Sequence, residues 1–140
     1  MKLRIPALAL AGVAIGFVGF SASQAENARS PKAEQKLARA LQGRTAGPAI
    51  NCISNFRGQA RMQVVDDDTI LFRDSGTVYV QRPNSSCSGI EDGKYSLVTR
   101  KYGTQQICSG DINQLVDVST GFHAGSCTFG PFVPYRKGRS

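Results

Sequence analysis

The sequence predicts a mainly β protein: a small antiparallel barrel or sandwich of about six to eight short strands, with one short N-terminal helix. Three observations lead there. From residue 49 onward, Gly-, Ser-, Asn- and Asp-rich turn signals recur roughly every 8–12 residues between β-branched and aromatic runs. Four widely spaced cysteines, Cys52, Cys87, Cys108 and Cys127, lie within that same stretch. Only one segment, near residues 31–42, carries helical spacing over several turns.

That helix comes first. Ser30 suits its cap, Pro31 its first position and Gly43 its stop. Ala33, Leu37 and Leu41 recur on one face, but the face is thin, and an isolated helix of about 12 residues is marginal in water. Residues 26–48 therefore read as a basic linker with a short helix in it, ending in the break from Gly43 to Pro48.

The core follows over residues 49–135. Ala49–Ser54 is a short apolar run around Cys52, and Arg61–Val64 alternates polar and apolar as a half-buried strand does. Asp66, Asp67 and Asp68 interrupt it, and Thr69–Phe72 resumes as a fuller apolar run. Asp74-Ser75-Gly76 suits a three-residue hairpin turn into the alternating strand Thr77–Gln81. Pro83–Asp92 is a loop holding Cys87. Tyr95–Arg100 alternates, Gln105–Cys108 is short, and Ile112–Val118 fits either a strand or a helical turn. Phe122–Phe129 closes the sheet. Gly130–Tyr135 is a rigid apolar strip expected to pack across one end of a barrel, and residues 136–140 form a basic tail.

The first 25 residues set the compartment. Lys2 and Arg4 precede an apolar stretch from Ile5 to Phe20, and Ser23 and Ala25 occupy the small-residue positions of a cleavage site. This is the order of a secretory signal peptide, cut between Ala25 and Glu26. A membrane anchor is the alternative, but the stretch is shorter than the roughly 18–20 residues that span a bilayer. The expected mature chain, 26–140, is one domain with no transmembrane segment, placed in the periplasm or outside the cell.

The formal charge is +7, and its distribution matters more than its size. Residues 26–48 hold five basic and two acidic residues, and the tail holds Arg136, Lys137 and Arg139. Residues 49–135 hold seven basic against eight acidic. A nucleic-acid-binding domain carries its basic stripe on the folded face, so nucleic acid is not expected as a partner. Basic ends suit weak, salt-sensitive contact with an anionic envelope surface, or simply solvation.

An even cysteine set in an exported chain reads as two disulfides. The separations of 35, 21 and 19 residues do not suit a zinc site built from close pairs, and no C-x-x-C redox motif is present. Of the three pairings, loop entropy favours none; each yields roughly 7–8 kcal/mol in total. Adjacency of the first and last strands in a closed sheet favours Cys52–Cys127 with Cys87–Cys108.

The strings V-V-D-D-D-T-I-L-F-R-D-S-G-T-V-Y-V, C-S-G-I, I-C-S-G-D and G-S-C-T-F-G-P-F-V-P-Y are similar to those of a family of small exported proteobacterial proteins of unknown function. The likeness covers about residues 49–135 and implies a secreted disulfide domain, with no activity to carry over.

Little chemistry is signalled. His123, the single histidine, lacks a G-x-S-x-G nucleophile turn and reads as a strand residue. Consecutive Asp66, Asp67 and Asp68 cannot all face one ion, unlike the alternating ligands of a calcium loop, and read as a hairpin turn whose Asp bonds its own backbone. Asp111, after Cys108-Ser109-Gly110, suits locking a turn beside a disulfide. No catalytic residue, cofactor or metal is expected. The sequence favours a non-enzymatic binding or envelope-maintenance domain. An inhibitor of an envelope-directed hydrolase is one alternative; a small hydrolase using Asp66–Asp68, Asp111 or His123 is the other.

Overall fold

The computed structural model describes residues 29–138; the expected signal segment and its cleavage site at Ala25 and Glu26 lie outside the described residues. Helix α1 (Pro31–Leu41) leads into β1 (Arg44–Ala46), β2 (Cys52–Ser54) and a 3-10 turn (Phe56–Gly58). Then come β3 (Arg61–Asp66), β4 (Thr69–Asp74), β5 (Thr77–Gln81), β6 (Tyr95–Thr99) and β7 (Gln106–Cys108). Strands β8 (Ile112–Asp117), β9 (His123–Thr128) and β10 (Phe132–Lys137) complete the chain.

All pairing is antiparallel, in three sheets: β1-β10-β5-β4-β3, β2-β7 and β6-β8-β9. The mainly β class and the short N-terminal helix are as the sequence predicts, but among the described residues no barrel closes. The largest sheet ends in two separate edges, β1 and β3. The strand count exceeds six to eight because β1, β2 and β7 are three residues each, too short to show a period. Ile112–Val118, ambiguous in sequence, is strand β8 over Ile112–Asp117, flanked by β6 and β9.

The apolar run on β4 explains the layering. Ile70 and Phe72 face one way and Leu71 the other, and all three are buried. On the first face, Ile70 and Phe72 pack with Ile53, Ile90, Leu115, Phe129, Phe132 and the Cys87 and Cys127 sulfurs. Phe72, Phe129 and Phe132 meet edge to face at centroid distances of 5.6, 5.7 and 6.2 Å, the arrangement their ring quadrupoles favour. On the second face, Leu71, Val65, Val78 and Val80 meet Ala33, Leu37, Ala40 and Leu41 of α1. A strand buried on both faces loses its alternation, so it reads as a continuous run.

Residues 26–48 are therefore not a linker over their described part. The thin helix face docks because Ala33 and Ala40 let the backbone approach the sheet, and Ala33 is 1% exposed. Ser30 Oγ accepts from Ala33 N at 3.2 Å, and Pro31 sits at the start as expected. Arg29 anchors this end, donating to Asp66 at 2.6 Å, Thr69 at 2.9 Å and Glu34 at 3.1 Å. Strand β1 then pairs with β10, placing Arg136 and Lys137, expected as tail, opposite Thr45 and Arg44.

The strip Gly130–Tyr135 also differs from expectation: from Phe132 it is strand β10, between β1 and β5, not a cap across a barrel end. Pro134 is tolerated there because its carbonyl accepts from Gly47 N at 2.7 Å; its missing N–H faces the same flank, past the end of β1. Gly130 is required by space, since a Cβ would sit 2.1 Å from the Arg82 carbonyl oxygen.

The disulfides are Cys52–Cys108 and Cys87–Cys127, which corrects the pairing expected from strand adjacency. The first cysteine strand lies beside β7, not beside the last one, so Cys52 stands directly opposite Cys108 in the β2–β7 ladder. Cys127, on the inner face of β9, ties down the loop that holds Cys87.

Candidate functional site

The residues that sequence offers as candidate catalysts stand on separate elements, and all but His123 and Asp68 serve the fold. Asp66, Asp67 and Asp68 lie at the β3–β4 turn. Asp66 Oδ1 accepts from Asp68 N at 2.9 Å, the local backbone bond expected of a turn, while Oδ2 pairs with Arg29. Asp67 does something sequence does not signal. Its carboxylate accepts the backbone N–H groups of Gly89 (2.9 Å), Ile90 (3.0 Å) and Glu91 (2.9 Å), and its carbonyl accepts Cys87 N at 3.0 Å. One side chain thus pins the loop before β6 from more than twenty residues away.

Asp111 locks the β7–β8 turn. Its Oδ2 accepts from Cys108 N at 2.6 Å and pairs with Lys101, and its carbonyl accepts Phe129 N at 3.1 Å. Asp117 is held by its own turn. The Ser119 hydroxyl (2.6 Å) and the backbone N–H groups of Thr120 (3.0 Å) and Ser119 (2.9 Å) all donate to it, and these bonds lower its pKa to about 2. His123 is exposed at the start of β9, opposite Val116, with no side-chain hydrogen bond among the described residues. All four cysteines are in disulfides. Among the described residues no group of three or more His, Cys, Asp or Glu is placed to hold a metal ion.

A concave feature with converging charge lies at the β4–β5 hairpin end of the large sheet. It is a cleft of about 240 Å³ lined by Arg44, Gln59, Arg61, Arg73, Asp74, the Ser75-Gly76 turn and the start of β5. The register builds it. Arg61 of β3 is the direct partner of Arg73 of β4, so both side chains leave the same face, the one that carries Leu71 and the helix. Arg44 of β1 pairs with Lys137, two positions from Tyr135, which faces the helix as well. Arg44 Nη1 donates to Gly76 O at 2.6 Å and Tyr135 O at 3.4 Å, bringing it to the turn. Ser75 and Gly76 both have positive φ, 48° and 82°, which makes the connection a two-residue turn of the primed kind that suits strand twist, not the three-residue loop expected.

None of the three arginines forms an ion pair among the described residues. Arg73 donates to the neutral Gln63 Oε1 at 3.1 Å, Arg44 to backbone carbonyls, and Arg61 has no side-chain bond there. Asp74 accepts instead from the Ser75 hydroxyl at 2.9 Å. The sequence alone places Arg44 in a linker and Arg61 at the start of an alternating strand, and gives no reason to single out Arg73. The cross-strand register is the missing information. No family model, curated protein or solved structure matches the chain.

Proposed function

We propose that the protein is an exported domain that works without catalysis, in a binding or envelope-maintenance role in the periplasm or outside the cell. The observation that carries the reading is the employment of its acids: Asp66, Asp67 and Asp111, three of the four carboxylates offered as candidate catalysts, spend their oxygens on backbone N–H groups and on Arg29 or Lys101. A general acid or base needs a free, suitably poised group facing a substrate. Two disulfides fit an oxidising compartment, and among the described residues no helix is long and apolar enough to cross a membrane. The Pro83–Asp92 loop is tied to Asp67 and Cys127, with Ile90 buried, which favours a scaffold role for it over that of an inhibitory loop.

The test is His123→Ala in cells lacking the wild-type chain. His123 is exposed, has no side-chain hydrogen bond among the described residues, and is the one histidine of the sequence, so a histidine-dependent hydrolase would have to use it. The expected result is unchanged stability and full complementation of whatever growth or envelope phenotype the deletion shows. Failure to complement, with stability intact, would overturn the non-catalytic reading.

A further inference from the structure

From the arrangement of Arg44, Arg61 and Arg73 we infer that the hairpin-end cleft binds a doubly charged tetrahedral oxyanion of the phosphate-monoester class. The inference rests on the binding role proposed above and names its ligand chemistry.

Charge sets the first constraint. Three guanidinium groups line the cleft against the one carboxylate of Asp74, leaving two positive charges unmatched. Like charges directly opposite on neighbouring strands destabilise a sheet, and Arg61 stands directly opposite Arg73. A bound dianion removes that cost.

Geometry sets the second. Guanidinium is planar, stays charged, and offers paired donors that match phosphate oxygens. Arg44 and Arg73 are each oriented by neutral acceptors, which fix the group without neutralising it, so their remaining N–H groups stay available. They arrive from separate strands, with Arg61 beside Arg73 and Arg44 across the turn, so they approach from different sides. A flat carboxylate is served by one such fork; a tetrahedral oxyanion has oxygens for three.

Size sets the third. At about 240 Å³ the cleft is smaller than the roughly 300–1,000 Å³ of pockets that enclose whole small molecules. It takes a terminal anionic group, with the remainder of the ligand outside.

The experiment is a titration of the oxidised protein at low ionic strength, followed by calorimetry or amide shifts. The probes are inorganic phosphate, sulfate and chloride. Saturable binding of phosphate and sulfate, with chloride far weaker, is expected. Arg61→Gln and Arg73→Gln should each weaken both by about fivefold or more, while Arg100→Gln, the same charge change just past the end of β6, stays within twofold. Thermal unfolding of each variant separates lost binding from lost fold; Arg61 is exposed and makes no bond the fold needs. Lowering the pH from 7.5 to 5 should weaken phosphate, whose dianion takes up a proton in that range, but not sulfate. Arg44, Arg61, Arg73 and Asp74 face the cleft, with Lys137 beside Arg44, and any titration among them affects both ions alike. Glycerol 3-phosphate against phosphatidic-acid vesicles then distinguishes a soluble ester from a lipid headgroup. Absence of saturable phosphate binding, or an equal loss in Arg100→Gln, would overturn the site. Either result leaves the His123→Ala test of the non-catalytic role standing.

Discussion

Asp66, Asp67 and Asp68 are identical in chemistry and adjacent in sequence, yet the structure gives them unequal work. Replacing each with Ala should give three different stabilities. Asp67→Ala removes three charge-assisted bonds, to Gly89, Ile90 and Glu91. Ile90 N keeps a second acceptor in Cys87 O at 3.3 Å, and Glu91 N is exposed enough to turn to water. Gly89 N, part-buried, is left without its acceptor. An orphaned donor costs about 1–3 kcal/mol, and bonds to charged groups contribute about 1.5–3 kcal/mol each before discounting for partial exposure. The Cys87–Cys127 disulfide still holds the loop, so the sum is limited to about 2–4 kcal/mol. Asp66→Ala loses the Arg29 pair and one turn bond, about 1–2 kcal/mol. Asp68→Ala removes an exposed side chain and should stay within about 0.5 kcal/mol. Urea unfolding of the oxidised proteins, with unchanged m-values, measures all three. Equal losses at the three positions, or the largest at Asp68, would refute the assignment of Asp67 as the loop's anchor.

Three more outcomes follow from single observations. Gln81 is fully buried beside Ile70 and Phe132, and its side-chain amide has no partner among the described residues, so Gln81→Met should be neutral or stabilising by about 1–2 kcal/mol in the same unfolding assay; a loss above about 2 kcal/mol would show the amide to be satisfied. Cys52–Cys108 is half-buried and Cys87–Cys127 nearly inaccessible, so mild reductant followed by alkylation and peptide mapping should label Cys52 and Cys108 first, and the reverse order would contradict the packing. Asp117, with its pKa lowered to about 2 chiefly by the Ser119 hydroxyl, contributes stability that is present above its unfolded value and lost as pH falls through about 2; carboxyl NMR should find that midpoint, and Ser119→Ala should raise it.

The sequence reading succeeds where information is local. Ser30-Pro31 marks the helix start, Ser75-Gly76 a hairpin, and Asp111 after Gly110 a locked turn, because each depends on backbone bonds within a few residues. It misses what depends on neighbours distant in the chain. The thin Ala33–Leu37–Leu41 face looks inadequate until the second face of β4 is seen to need a cover. The partner of Cys52 depends on β7, a strand of three residues with no period to detect. Asp67 reaches a loop beyond two intervening strands, and the arginine cleft exists only once β3 and β4 settle into a register that sets Arg61 against Arg73. Tertiary packing, not propensity, decides all of these.

An intact-mass measurement on the chain recovered from the periplasmic or secreted fraction tests most directly the proposal of an exported domain locked by two disulfides. The expected product is a mature chain beginning at Glu26, lacking the four hydrogens of its reduced cysteines and taking up no alkylating agent when unfolded without reductant. A chain retained in the cytosol with Met1 in place and four reactive thiols would contradict it.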